Sequence, residues 1–237
     1  LNRTGVVFTG LISAMLVNML LWPPRYNRQL KQKMQLANEA AVAYFCQAVT
    51  EYVKLENKEP VLNPAEKARV HAMNREVRNL IGLTARESEL ALAKFDDQSR
   101  WLVLAARLSG YNEALAEKAD RIYELLPARI KRRHDAGNPP ISEEFQAILA
   151  ILGSSNETLQ RVNAKLRKVV IGGEDVEPES VSEIFWERLS VAIEQWQSKL
   201  SGSYYVHGLI EAAVTANEIK WAAREGKLLL QELLQAE

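Results

Sequence analysis

The sequence predicts an all-helical protein, in which one membrane-spanning helix precedes a bundle of long antiparallel helices. Glycine and proline are sparse, at 11 and 8 of 237 residues, whereas all-β folds need turn residues about every ten positions. Between these few breaks, apolar residues recur at spacings of three and four, which is the period of an amphipathic helix. An uncharged apolar run near the amino end predicts the membrane helix.

The overall charge and the cysteine count exclude several classes of protein. Lys plus Arg and Asp plus Glu both number 30, for a formal net charge of +0. A nucleic-acid partner is therefore not expected, because phosphate contacts require an excess of cations. Cys46 is the single cysteine, which excludes an intrachain disulfide and a cysteine-based zinc site and favours a reducing, cytoplasmic compartment.

The apolar run extends from Gly5 to Trp22 and contains no charged residue. As a helix it would be about 27 Å long, close to the roughly 30 Å hydrocarbon core of a bilayer. A buried core helix and a secretory signal peptide are the alternatives. The signal peptide is disfavoured because the run is long and passes directly into Pro23 and Pro24 without a small-residue cleavage site.

The charges that flank this run predict its orientation. Only Arg3 precedes it, whereas several cations follow it, and Lys and Arg accumulate on the cytoplasmic side of a membrane helix. Everything after Pro24 is therefore expected in the cytoplasm, at the inner membrane. Cations at this position also contact anionic headgroups of the lipid bilayer. The predicted membrane-interface residues are Trp22, Arg25, Arg28, Lys31 and Lys33.

Small and polar residues within the run predict contacts with other membrane helices. Gly10 and Ala14 are four residues apart and form a small-residue face that allows close helix approach. Asn18 would be costly against lipid, so we expect it to face another helix. We therefore interpret residues 1–24 as the last helix of a truncated membrane domain and residues 25–237 as a cytoplasmic helical-bundle domain. We expect the protein to form homo-oligomers.

Six helices are predicted after the span, each with an apolar stripe. Proline at a first helical position, capping residues and glycine-containing breaks define their limits. Thr84 followed by Glu87 matches a capping box, and it predicts that a new helix starts there. The predicted helices are Pro24 to about Asn57, Pro64 to Gly82, Thr84 through Leu126 towards His134, Ser142 to Ile171, Pro178 to near Gly202, and Tyr205 to Leu233.

The last helix has the most regular stripe, and the middle of that stripe is small. Ala212, Ala216, Ala223 and Gly226 lie there, and such residues either let a neighbouring helix approach closely or leave room beside it. The close approach is the favoured interpretation. Trp221 lies off the stripe, which predicts an exposed tryptophan that contacts another helix or subunit.

A search for reactive side chains predicts no enzyme, no cofactor and no metal site. His71, His134 and His207 are not paired at helical spacing, and no glycine-rich phosphate loop or nucleophile elbow occurs. A basic cluster lies near the end of the third predicted helix. Its cations are typical of a solvated helix terminus, with an anionic lipid or nucleic-acid contact as the alternative. The cluster consists of Arg129, Lys131, Arg132 and Arg133.

The first thirty residues resemble the end of the membrane domain in the bacterial aromatic acid exporter family, part of the broader fusaric acid resistance superfamily. The positions that carry the resemblance are Gly10, Asn18, Pro23, Pro24 and Tyr26. The resemblance implies an inner-membrane transport protein with further membrane helices upstream and a role in efflux of small aromatic acids. The helical remainder would then be a non-catalytic cytoplasmic domain that acts in assembly, gating or partner binding.

A second interpretation stays open. The same pattern of one span and a helical bundle is compatible with a membrane-anchored interaction or sensor module that signals to another protein. The number of hydrophobic runs upstream of Leu1 distinguishes the two.

Overall fold

In a computed structural model of the chain, the residues described are 25–54, 64–90, 95–137, 142–171, 183–198 and 203–234, together with Ser13. These ranges contain six α-helices and no β-strand, which confirms the all-helical fold class. The helices are α1 (Arg25–Lys54), α2 (Pro64–Leu90), α3 (Phe95–Asp135), α4 (Glu143–Ile171), α5 (Glu183–Gln197) and α6 (Ser203–Leu234).

The predicted membrane span is not tested by the described ranges. Gly10, Ala14, Asn18 and Trp22 lie outside them, and Ser13 is the single described residue of the apolar run. Among the helices that the structure describes, none combines the length and the apolar character needed to cross a bilayer.

Four long helices form the centre of the bundle as a ring of contacts, from α1 to α3, α6, α4 and back to α1. Side-chain contacts give their directions. Asn38 and Tyr44 of α1 reach Asn112 and Asp120 of α3 in the same order, so α1 and α3 are parallel. The helices α4 and α6 are also parallel to each other. The pair α1 and α3 runs antiparallel to the pair α4 and α6. The sequence predicted a bundle of antiparallel helices, whereas the structure contains both parallel and antiparallel pairs.

The two remaining helices cover the edges of this ring. Helix α2 packs against α1 and α3 and is antiparallel to both, and α5 packs against α4. The aromatic rings of Phe145 in α4 and Trp196 in α5 stack with centroids 4.4 Å apart. Each half of the chain thus has one plan: a long helix, a returning helix, and a second long helix parallel to the first.

The apolar stripes predicted from the sequence form the core. The stripe residues of α1 and α6 that the structure describes are almost all buried, which confirms the predicted faces. They pack in one continuous cluster with α2, α3 and α4. Those that are buried are Leu30, Met34, Ala37, Ala41, Tyr44 and Ala48 in α1, and Ala212, Ala216, Ile219, Ala223, Leu230 and Leu233 in α6.

The helix boundary predicted at Thr84 is wrong. Helix α2 continues through Gly82 and Thr84 as far as Leu90. A single glycine inside a helix costs only about 1 kcal/mol, and Leu80 and Ile81, which pack on the core, outweigh it. The predicted cap at Ser142 is confirmed, because the Phe145 backbone N–H donates to Ser142 Oγ at 3.3 Å.

The small-residue stripe of α6 brings helices close together, as predicted. A Cβ at Gly226 would lie 3.0 Å from Tyr111 Oη and 3.4 Å from Val162 Cγ1. Glycine therefore suits the position where α6 packs between α3 and α4, because a Cβ there would crowd the Tyr111 hydroxyl.

Candidate functional site

A network of buried asparagines lies at the centre of the bundle. Asn38 of α1 donates through Nδ2 to Asn112 Oδ1 at 2.9 Å and to Asn163 Oδ1 at 3.2 Å. These three side chains are at most 1 % exposed. One residue of α1 therefore joins α3 and α4 through polar contacts inside an apolar core.

The network extends to the two other helices beside it. Asn163 Nδ2 donates to Tyr111 Oη at 3.3 Å, and Tyr111 Oη donates to the Ala222 carbonyl of α6 at 3.0 Å. On the other side, Asn112 Nδ2 lies 3.5 Å from Asn74 Oδ1 of α2. Five helices are thus connected at one level of the bundle.

Two amide atoms in this network lack a partner among the described residues. They are Asn38 Oδ1 and Asn74 Nδ2, both on side chains that are fully buried. A buried polar atom without a hydrogen bond costs about 1–3 kcal/mol. Buried asparagines with this cost are known to fix helix register in coiled coils, since any slip would leave more polar groups unpaired.

A second amide fixes α4 against α1 one level further along. Asn156 Nδ2 donates to the Cys46 carbonyl at 2.8 Å and lies 3.3 Å from Thr50 Oγ1. Thr50 Oγ1 itself donates to the Cys46 carbonyl at 2.8 Å. The register of α1 relative to α4 is therefore specified twice, by Asn38 and by Asn156.

Four of the predicted membrane-interface residues lie at the start of α1, and the fifth, Trp22, is outside the described residues. Helix α1 begins at Arg25, and Arg28 is exposed while Lys31 and Lys33 are partly exposed. Lys33 Nζ forms an ion pair with Glu76 of α2 at 3.0 Å. The four cations are thus grouped at one end of the helix that carries Asn38.

The opposite end of the bundle contains part of the predicted basic cluster. The Arg129 guanidinium donates to the Tyr52 carbonyl at 2.7 Å and lies 4.4 Å from the Tyr52 ring centroid and 5.5 Å from the Phe145 ring centroid. Arg132 pairs with Glu211, whose side chain is 8 % exposed. These two arginines therefore hold α3 against α1, α4 and α6, whereas Lys131 is exposed.

Trp221 makes the predicted contact with another helix, but the contact is with α3 inside the bundle and the side chain is only partly exposed. Its ring stacks on Tyr111 with centroids 5.8 Å apart, and Lys118 Nζ lies 4.4 Å from the ring centroid. Lys118 also pairs with Glu218, which is 10 % exposed. Trp221 therefore contributes to the α3–α6 interface, at a position beside the stripe and not on it.

Burial suppresses the ionisation of the central cysteine and tyrosines. Desolvation raises the pKa of the Cys46 thiol to about 11, against smaller opposing effects of Gln160 and Arg167. It also raises the pKa of Tyr52 and of Tyr123 to about 12, and the pKa of Tyr111 still further. Cys46 therefore carries a neutral thiol near neutral pH and lacks the thiolate character of a nucleophile.

The other titratable candidates do not converge among the residues that the structure describes. There, no group of three His, Cys, Asp or Glu side chains is placed to hold a metal ion. His71 of α2, His134 of α3 and His207 of α6 lie on separate helices, and the last two are exposed.

Sequence reasoning did not identify the asparagine network. Each asparagine lies on or beside a predicted apolar stripe: Asn38 follows Ala37, and Asn112 is four residues after Leu108. A polar amide within a stripe is the signal that could have been used, because a buried amide needs a partner on a facing helix.

Comparisons with known proteins were negative: no protein-family model, curated protein or solved structure matches the chain.

Proposed function

We propose that this chain is the last membrane helix and the cytoplasmic helical domain of an inner-membrane transporter of the aromatic acid exporter type. In this proposal residues 1–24 span the membrane and residues 25–237 act in assembly, gating or partner binding, without a catalytic role. The proposal rests on the uncharged run from Gly5 to Trp22 and on the resemblance of the first thirty residues.

The position of α1 is the structural observation that supports a role in gating or assembly. Helix α1 begins at Arg25, directly after the predicted span, and packs against α2, α3 and α4. Leu30 is already fully buried, so the bundle holds α1 from about its second turn onward. A displacement of the span along or about its axis would therefore act on the interface of α1 with three other helices.

The buried amides make this coupling mechanically specific. A slide of α1 by one turn, about 5.4 Å, would break the bonds from Asn38 to Asn112 and Asn163 and the bond from Asn156 to the Cys46 carbonyl. Because unpaired buried amides are costly, α1 should move as one body with the bundle instead of slipping through it.

An insertion between the span and the bundle tests this proposal in the full-length transporter. An insertion of four residues, Gly-Ser-Gly-Ser, between Pro24 and Arg25 would keep the span and the bundle but disconnect their motions. Transport should then fall at least tenfold if the bundle gates the membrane domain. The matched control is the same insertion after Gly173, between α4 and α5, which should leave transport unchanged. Unchanged transport with both insertions would refute coupling.

Deletion of residues 60–237 provides the complementary test. Loss of transport or of oligomers is expected, since the deletion removes α2 to α6 and exposes the buried face of α1. Normal transport and assembly by the truncated protein would contradict the proposed role of the domain in assembly and gating.

A further inference from the structure

Two helical segments, distant in sequence, each carry four cations and no carboxylate. One is residues 25–38 at the start of α1, and the other is residues 158–171 at the end of α4. Together they form what we call the basic face. Its cations are Arg25, Arg28, Lys31 and Lys33 in α1, and Arg161, Lys165, Arg167 and Lys168 in α4.

The fold brings the two segments side by side. Gln35 Nε2 donates to the Arg167 carbonyl at 2.9 Å, and Asn38 Nδ2 lies 3.2 Å from Asn163 Oδ1. Because α1 and α4 are antiparallel, the start of one helix meets the end of the other. The basic face therefore lies at the end of the bundle where α1 begins, next to the predicted span, and Arg28, Arg161 and Lys168 are exposed there.

The other halves of the same two helices have the opposite charge. Residues 39–54 of α1 and 143–157 of α4 contain five carboxylates and a single cation, Lys54. The carboxylates are Glu39, Glu51, Glu143, Glu144 and Glu157. Along α1 and α4 the charge thus changes sign from one half of the helix pair to the other, although the chain as a whole is neutral.

Helix-dipole effects do not account for this arrangement. Cations are favourable at a helix carboxyl end, which suits Lys168, but α1 carries its cations at the amino end, where the dipole is unfavourable. Arg161 and Lys165 lie more than one turn before the end of α4 at Ile171, beyond the range of the effect. Lys33 is paired with Glu76 of α2, and the exposed Arg28, Arg161 and Lys168 add a positive potential on this side that an anionic surface would stabilise.

We propose that the basic face docks on the anionic lipid headgroups of the membrane that the span crosses. This inference rests on the proposed function and extends it, because it adds α4 to the membrane-contacting surface. The rise of α1 from Arg25 to Asn38 is about 20 Å, longer than the Debye length of about 8 Å at physiological salt. The bundle therefore lies with its α1/α4 side along the bilayer, which brings the exposed Arg28, Arg161 and Lys168 within reach of the headgroups.

Quenching by labelled lipid headgroups tests the docking in the full chain. The chain is reconstituted in vesicles of phosphatidylcholine alone or with one-third phosphatidylserine. A fluorophore is attached at Ala164→Cys, beside the basic face, or at Ala150→Cys, in the other half of α4. The native Cys46 is buried and should not label. Quenching at position 164 should rise with phosphatidylserine and disappear in 1 M salt, where the Debye length falls to about 3 Å, and position 150 should stay unquenched.

A charge-removal pair supplies the matched control. Arg161→Gln, Arg167→Gln and Lys168→Gln together should lower the docked-to-undocked ratio by about 100-fold. Lys54→Gln, Arg69→Gln and Lys131→Gln remove the same charge elsewhere and should leave the ratio unchanged. Circular dichroism of both triple variants checks that the helices persist.

The remaining outcomes separate the two proposals. A chain that alkaline carbonate washes off the vesicles refutes the membrane span and with it the proposed function. A chain that stays inserted but is quenched equally with and without phosphatidylserine refutes only the docking. A third outcome is that single-stranded oligonucleotide abolishes the quenching and phosphatidylserine does not increase it. This outcome would assign the basic face to a nucleic acid and would also overturn the docking.

Discussion

Asn38 is the residue on which the interior of the bundle depends most. Its Nδ2 serves two acceptors on two other helices, Asn112 and Asn163, and its side chain is fully buried. Removing the amide would leave both acceptors without this donor, in a region of low dielectric where unpaired polar groups are costly. The stability of the bundle should therefore be sensitive to this one position.

Asn38→Ala should lower the free energy of unfolding by about 2–4 kcal/mol, through the two unpaired acceptors and the lost packing. The matched control is Gln32→Ala on the exposed face of α1, which should change it by less than about 0.5 kcal/mol. Urea titration of both variants measures the difference. Equal stabilities would show that the network contributes nothing to folding.

Gly226 is the second sensitive position, because a Cβ there would be in tight contact with Tyr111. Gly226→Ala would bring a methyl group to 3.0 Å from Tyr111 Oη and 3.4 Å from Val162 Cγ1, and overpacking of this kind costs about 1–3 kcal/mol. Gly82→Ala and Gly110→Ala are the controls, since nothing lies within 4 Å of a Cβ at either helical position. Both should stabilise the protein by about 0.5–1 kcal/mol. A stabilising Gly226→Ala would show that Tyr111 yields to the added methyl group and would contradict the expected crowding.

The buried thiol of Cys46 should lower the free energy of unfolding at alkaline pH. Its folded pKa of about 11 lies above the ordinary value of 9.0, so folding favours the neutral thiol. The stabilisation of the folded state by the neutral thiol is fully present below about pH 9. It is lost as the pH rises towards 11, which lowers the free energy of unfolding by up to about 2 kcal/mol. Unfolding titrations from pH 8 to 11 should show this decline, and Cys46→Ala should make it smaller, while the buried tyrosines, whose pKa values are also raised, keep the remaining part. An unchanged slope in the variant would exclude Cys46 as its source.

Among the elements, the apolar stripes of α1 and α6 were predictable and their partners were not. A spacing of three and four shows which face of a helix is buried, and the residues from Leu30 to Ala48 and from Ala212 to Leu233 followed it. The parallel arrangement of α1 with α3 depends on long-range pairs such as Tyr44 with Asp120, which no local pattern encodes. The false boundary at Thr84 arose because a capping box is a local signal, whereas helix α2 is held by its packing.

The interior polar groups were missed for the same reason. Arg129 and Arg132 belong to a run of cations that is typical of a solvated helix end, yet they contact Tyr52 and Glu211 of other helices. Trp221 lies off the stripe and still packs on Tyr111. A sequence shows that a side chain is polar or off a stripe, but the neighbours that bury it come from elsewhere in the chain.

Helix α5 should open more readily than the other described helices, because it is the shortest of them and packs on α4 through the Phe145–Trp196 stack. Trp196→Ala should raise the hydrogen exchange of Glu183–Gln197 strongly and leave the amides of α1 protected. Trp221→Ala is a useful comparison, since it should instead destabilise the α3–α6 interface and the whole bundle. Uniform exchange changes in both variants would show that α5 folds as one unit with the rest.

At the level of the whole molecule, an apolar amino-terminal run is followed directly by a bundle whose first helix, α1, begins where that run ends. The all-helical bundle is observed, whereas the membrane span, the cytoplasmic location and the transporter family remain proposals drawn from the sequence. The basic face unites the two parts, because its cations lie at the end of the bundle from which α1 begins.

Membrane extraction combined with protease accessibility tests the central claim most directly. The full chain, produced in bacterial cells, should remain in the membrane pellet after alkaline carbonate. In inverted inner-membrane vesicles the bundle should be accessible to protease, whereas in intact spheroplasts it should be protected. Recovery of the chain in the carbonate supernatant, or protection in the inverted vesicles, would contradict the account.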